Sequence, residues 1–115
     1  MFDFEKLEVY EVAKNLNTDV LRFLFSHNGL DPYIKDQWKR CSIGAVLNLA
    51  EGTARISDVD KKHFFTMARG SVFECVSLLQ MARELNLMDE ALYNKLYGKY
   101  EQLSKMLLGM YRSKS

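Results

Sequence analysis

The sequence predicts an all-α protein, an up-down-up-down bundle of four amphipathic helices. Apolar residues recur at three- and four-residue steps along almost the whole chain, which is the period of an amphipathic helix. The single proline, Pro32, leaves long stretches without a helix breaker. The turn signals between these stretches are short, and short connections favour antiparallel neighbours. The length is that of one domain, so we expect residues 1–115 to form a single four-helix domain.

The first helix is predicted over residues 4–26, with Asp3 as its possible N-cap. Asn28 and Gly29 follow it and provide a stop signal, because both residue types tolerate the left-handed conformation that ends many helices.

The second helix is predicted over residues 32–52. Asp31 is placed as its cap, and Pro32 occupies the first turn, where the missing N–H is not needed. This helix is apolar over an unusually wide arc, so it is either the central helix of the bundle or partly covered by another subunit.

The third and fourth helices are predicted over residues 58–86 and 89–112. Ser57 or Asp58 begins the third, and Asp89 caps the fourth after a short turn.

The charge is small in total but unevenly distributed. The formal net charge is +1, which argues against a uniformly basic nucleic-acid-binding coat. Residues 33–70 carry seven basic and four acidic side chains, against three and six in residues 1–32. The candidate nucleic-acid contacts are basic residues that we expect to cluster around the turn between the second and third helices: Lys39, Arg40, Arg55, Lys61 and Lys62.

Neither a membrane span nor a secretory signal is indicated. The apolar runs, such as residues 44–47, are far shorter than the ~20 residues of a spanning helix. The N-terminus lacks a basic start followed by an apolar block, so we expect a cytoplasmic protein. Cys41 and Cys75 lie within apolar helical patterns and are interpreted as buried thiols.

Four polar residues interrupt the apolar periodicity of the second and third helices. They are Asn48, Glu51, Ser71 and Glu74. A carboxylate buried at Glu51 would need donors, and Asn48, Arg55 and Ser71 are candidates. We interpret the four as a structural polar cluster that fixes helix register.

An enzymatic alternative uses the two carboxylates of this set. Glu51 and Glu74 could act as acid and base or hold a metal, but helical-bundle metal sites usually supply Glu-x-x-His, which this chain lacks. It also has no phosphate-binding glycine loop, zinc-ligand spacing or nucleophile elbow. We therefore expect no catalytic residues, no metal and no cofactor.

Two segments carry a family resemblance. Asn48-Leu49-Ala50-Glu51-Gly52, followed by Gly70-Ser71-x-x-Glu74, resembles the 23S ribosomal RNA intervening-sequence family, which also includes the accessory variability determinant of diversity-generating retroelements. The likeness covers nearly the whole chain.

The resemblance implies a helical bundle that assembles into a ring-shaped homopentamer. It also implies binding to DNA or RNA and, as in the retroelement branch, to a reverse transcriptase. Our leading hypothesis is a non-enzymatic accessory protein that binds nucleic acid electrostatically, because ring symmetry would multiply the modest positive charge of each chain. The alternatives left open are a protein-interaction scaffold without nucleic-acid binding and the carboxylate enzyme.

Overall fold

The computed structural model describes residues 1–114, and its regular structure is entirely helical. A short 3-10 turn precedes four α-helices: α1 (Glu8–Ser26), α2 (Pro32–Ala54), α3 (Asp58–Glu84) and α4 (Glu90–Arg112). The four predicted helices are confirmed. No strand occurs within the described residues.

The start of the first helix differs from the prediction. Asp3–Lys6 forms a separate 3-10 turn, and α1 begins only after Leu7, whose backbone is extended. Asp3 therefore does not cap α1. The Glu5 carboxylate instead accepts a hydrogen bond from the Phe2 N–H at 3.0 Å, which closes the turn on itself.

The other three helices begin where a side chain caps them, as the sequence predicts. Asp31 accepts from the N–H of Tyr33 at 2.9 Å, and Asp89 accepts from that of Leu92 at 2.7 Å. The Ser57 hydroxyl accepts from the N–H of Asp60 at 3.1 Å. Each cap satisfies a backbone donor that the first turn leaves unpaired.

The left-handed residue lies at the end of α3 and not after α1. Asn86 has φ 57°, and among residues 1–114 no glycine has positive φ. The Leu87 N–H donates to the Ala82 carbonyl, and the Asn86 N–H donates to that of Arg83, both at 3.0 Å. This Schellman motif ends α3. α1 ends at Ser26, as predicted, but through the extended residue His27; the left-handed conformation expected at Asn28 and Gly29 does not occur.

Contacts between the helices show that the bundle is antiparallel throughout. Asn17 on α1 accepts from Ser42 on α2, whereas Phe23, later on α1, packs against Trp38, which lies earlier on α2. The same inverse order holds between α2 and α3 and between α3 and α4. It follows that α1 and α4 are also antiparallel, and Lys95 of α4 pairs with Asp19 of α1. The diagonal helices α2 and α4 meet through side chains, because the Trp38 indole N–H donates to the Tyr100 hydroxyl across the core.

The core follows the predicted apolar stripes and is filled by aliphatic and aromatic side chains. Trp38, Phe65, Leu49 and Leu96 are fully buried at its centre. α2 and α3 pack most closely, because Gly52 lets the buried Phe65 ring lie directly against the helix backbone. No helix in the described part of the chain is long and apolar enough to cross a membrane.

Candidate nucleic-acid interface

Three of the five predicted basic residues lie at the turn between α2 and α3. The Lys61 ammonium donates to the Thr53 carbonyl at 3.0 Å, which ties the first turn of α3 to the last turn of α2. The Lys62 ammonium lies 4.6 Å from the centre of the Tyr111 ring. Neither lysine has a carboxylate at ion-pairing distance among residues 1–114. Within these residues neither lysine therefore forms an ion pair, although Asp58 and Asp60 lie in the same turn of α3.

Arg55 lies at the same turn but is neutralised. Its guanidinium forms an ion pair with Glu51 at 2.7 Å and lies 4.5 Å from the centre of the Phe64 ring. A phosphate at this position would compete with the Glu51 carboxylate for the Arg55 guanidinium.

Lys39 and Arg40 do not join this cluster, which corrects the prediction. Both lie in the first half of α2, and the rise of an α-helix puts Arg40 about 21 Å from the last residue of α2. Arg40 pairs with Asp36 at 3.1 Å, and the Lys39 ammonium lies 5.4 Å from the centre of the Phe25 ring. The basic residues therefore form two separate groups.

A second basic surface, which sequence reasoning missed, runs along the seam between α3 and α4. It contains two neighbouring hollows of about 380 and 360 Å³. Arg69 and Phe73 line both hollows and separate them. Tyr97 and Lys105 line the first, and Tyr111 lines the second. We call this surface the α3–α4 groove.

The predicted polar cluster is not assembled as a network. Glu51 is half exposed, with 49% of its side chain accessible, and it pairs with Arg55 on its own helix. Ser71 lies beside Gly44 of α2, and Glu74 is exposed. Within the described residues no hydrogen bond links Asn48 with any of these. The expected burial of Glu51 within the bundle is wrong, because its position on α2 faces away from the core.

Glu51 and Glu74 are also too far apart to share a proton. Glu74 precedes Cys75, whose sulfur lies 2.9 Å from that of Cys41. Glu51 lies about 15 Å farther along α2 than Cys41. The pairing required for acid–base work is therefore absent from this pair of residues. In the part of the chain described here, no three His, Cys, Asp or Glu side chains are grouped to hold a metal ion.

The buried polar groups of the core are hydrogen-bonded to one another. Trp38 donates its indole N–H to the Tyr100 hydroxyl at 3.2 Å, and the Cys75 thiol donates to Cys41. The hydrogen bond with Cys41, together with burial, raises the pKa of Cys75, and burial raises that of Tyr100. The Cys75 thiol is therefore protonated at neutral pH and poorly suited to be a nucleophile. The prediction of two buried free thiols is confirmed.

The fold and these surfaces define a small antiparallel four-helix-bundle protein with cations outside ion pairs beside exposed aromatic rings. A family model described as 23S rRNA-intervening sequence protein matches residues 5–109, and the chain belongs to this family. The resemblance drawn from the sequence motifs is thereby confirmed.

A solved structure shows the same fold. It is the crystal structure of a protein with unknown function from the S23 ribosomal protein family of Bacteroides thetaiotaomicron, with a TM-score of 0.83 and 14% sequence identity. The match covers 90% of this chain and 97% of that one. No curated protein matches the sequence.

Proposed function

We propose that this chain is a non-enzymatic, homo-oligomeric accessory protein of the cytoplasm that binds nucleic acid electrostatically. The observation that carries the proposal is a pair of lysines at the α2–α3 turn that form no ion pair in the described chain. Lys61 and Lys62 present two ammonium groups without a carboxylate partner in the described chain, whereas Arg40 and Arg55 are paired. Phosphate binding depends on such local positive charge and on the release of condensed counterions.

A homopentameric ring would strengthen this binding by repeating the lysine pair around one axis. The outer side of α2 supports assembly, because Ile43 and Leu47 lie one turn apart and point away from the core. Leu47 also lines a hollow of about 450 Å³, together with Ala54 and the aromatic ring of Phe2. We call this apolar surface the α2 outer stripe. Contiguous apolar surface of this kind is typical of contacts between protein molecules.

The test compares two double variants with the same change of formal charge. Lys61→Ala/Lys62→Ala removes the two lysines that form no ion pair in the described chain. The control, Lys14→Ala/Lys95→Ala, removes lysines that are paired with Glu11 and Asp19 at 3.3 and 3.6 Å. Binding to single- and double-stranded DNA and RNA is measured across a salt series.

We expect wild-type affinity to fall steeply with salt, and the Lys61→Ala/Lys62→Ala variant to bind more weakly with a shallower salt dependence. The control should keep the wild-type slope, and thermal melting should show that all three proteins are folded. Absence of wild-type binding at low salt, or equal slopes in the two variants, would refute the nucleic-acid proposal.

The second candidate is a protein-interaction scaffold that docks a partner on the α2 outer stripe. A reverse transcriptase is the partner that the family resemblance suggests. The exposure of Leu47, at 62%, favours this candidate if the protein does not assemble with itself. Co-purification with a reverse transcriptase that is lost on Leu47→Glu would support it.

A further inference from the structure

The α3–α4 groove combines a strongly exposed aromatic ring with cations that form no ion pair among residues 1–114. Arg69 and Lys105 line it without a carboxylate at ion-pairing distance in the described chain. Phe73 lies between the two hollows with 54% of its surface exposed, although it is a large apolar residue. The Arg69 guanidinium lies 4.8 Å from the centre of the Phe73 ring and donates to the Ser104 carbonyl at 3.3 Å. The positive charge of Arg69 is thus held beside the exposed ring of Phe73.

Three aromatic rings follow one another along the groove. Tyr97 and Phe73 line the first hollow, and Phe73 and Tyr111 line the second. Tyr97 and Tyr111 are separated by about 21 Å along α4. The Lys62 ammonium lies over the Tyr111 ring and extends the row of cations to the α2–α3 turn.

Gly70 leaves the α3 backbone open at the second hollow. It is an exposed residue in the middle of α3 and lines the second hollow. In the middle of a helix, glycine costs about 1 kcal/mol of stability relative to alanine. A Cβ at this position would meet no atom of the chain within 4 Å. Gly98 and Gly109 of α4 are open in the same way. The absence of a side chain at Gly70 gives a ligand in the second hollow access to the α3 backbone.

We propose that the α3–α4 groove binds single-stranded nucleic acid, with bases stacked on Phe73, Tyr97 and Tyr111 and phosphates held by Lys62, Arg69 and Lys105. This inference rests on the proposed nucleic-acid function and names the form of the ligand. Unpaired bases stack on aromatic rings, whereas the faces of paired bases inside a duplex are inaccessible to them. Glu101, which also lines the first hollow, is outnumbered by the cations. At ~3.4 Å per stacked base, the groove spans roughly six nucleotides.

The experiment measures binding of twelve-nucleotide single strands that carry 2-aminopurine, in RNA and DNA versions, and of the corresponding duplexes. Stacking on a protein ring changes 2-aminopurine fluorescence, and anisotropy of an end label gives the affinity. The full chain is compared with Phe73→Ala and with Phe73→Leu, which keeps an apolar side chain but removes the ring. The control is Tyr33→Ala, which removes an exposed aromatic ring from α2, outside the groove.

We expect both Phe73 variants to bind single strands about tenfold more weakly than wild type and to lose the fluorescence change. Duplex affinity should change less than twofold, and Tyr33→Ala should behave as wild type. The RNA and DNA arms then show which sugar the groove prefers. Phe73→Leu keeps the test decisive if Phe73→Ala folds poorly.

Two results would overturn this inference while leaving electrostatic binding intact. One is single-strand affinity in the Phe73→Leu variant equal to that of Tyr33→Ala. The other is a change in the mass of the Phe73 variants in solution without a change in strand affinity, which would make the groove a contact between copies. A wild-type protein that binds no nucleic acid at low salt would overturn both this inference and the proposed function.

Discussion

Whether a basic residue is available to a ligand depends on contacts that sequence spacing reveals only in part. Arg40 and Arg55 pair with carboxylates four positions earlier on the same helix, Asp36 and Glu51, a spacing that is visible in the sequence. Lys62 has Asp58 at the same spacing, yet its ammonium lies over the ring of Tyr111 on α4. Only the packing of α3 against α4 distinguishes these cases.

The position of Glu51 leads to the first prediction on stability. Replacing Glu51 with alanine should change the free energy of unfolding by less than about 1 kcal/mol, because exposed ion pairs contribute little in water. Asp36→Ala, which removes the exposed partner of Arg40, is the matched control and should behave in the same way. Urea unfolding of dilute protein measures both. A loss above about 2 kcal/mol for Glu51→Ala alone would contradict the exposed ion pair and indicate a buried carboxylate.

The aromatic residues of the α3–α4 groove show what residue patterns can reveal when they are read more closely. Phe73, Tyr97 and Tyr111 each lie one position outside the apolar stripe of their helix, immediately after Val72, Leu96 and Met110. Large aromatic residues outside a core stripe are the signal that could have located this surface. No sequence pattern shows that Arg69 and Lys105 form no ion pair, because their neighbours are set by the packing of α3 against α4.

At the scale of the elements, the starts of helices were more predictable than their ends. Asp31, Ser57 and Asp89 cap through hydrogen bonds to backbone groups only two or three residues away, so local sequence is sufficient. The ends depend on longer-range packing. Asn86 adopts the left-handed conformation where the following residue, Leu87, packs onto the core.

The close contact between α2 and α3 leads to a prediction at the same scale. A Cβ at Gly52 would lie 2.6 Å from the buried Phe65 ring, so Gly52→Ala should destabilise the fold by about 1–3 kcal/mol through overpacking. Gly70→Ala places the same methyl group where no atom of the chain lies within 4 Å, and it should stabilise α3 by up to about 1 kcal/mol. Thermal and urea unfolding of dilute protein compare the two. Equal effects would show that the Phe65 ring moves aside without cost.

At the scale of the whole molecule, the bundle and its core were predictable because helical periodicity fixes which face of each helix is buried. The arrangement of surface groups was less predictable. Sequence proximity suggested one basic cluster. The rise of the α-helix, however, places Arg40 about 21 Å from the last residue of α2. Part of the apolar surface of α2 is left uncovered by the bundle, since Leu47 is exposed after the four helices have packed.

Assembly of whole molecules is tested by placing a charge on the α2 outer stripe. If copies of the chain contact one another there, Leu47→Glu buries an unpaired carboxylate in each contact and should convert the oligomer to monomers. Val59→Glu introduces the same charge at an exposed apolar residue in the first turn of α3 and should leave assembly unchanged. Light scattering from micromolar to submillimolar protein should give five chain masses for the wild type and for Val59→Glu, and one for Leu47→Glu. Circular dichroism should show equal helix content in all three. A wild-type monomer over this range would refute the ring and the multiplied charge, and an unchanged mass for Leu47→Glu would exclude the α2 outer stripe as the contact.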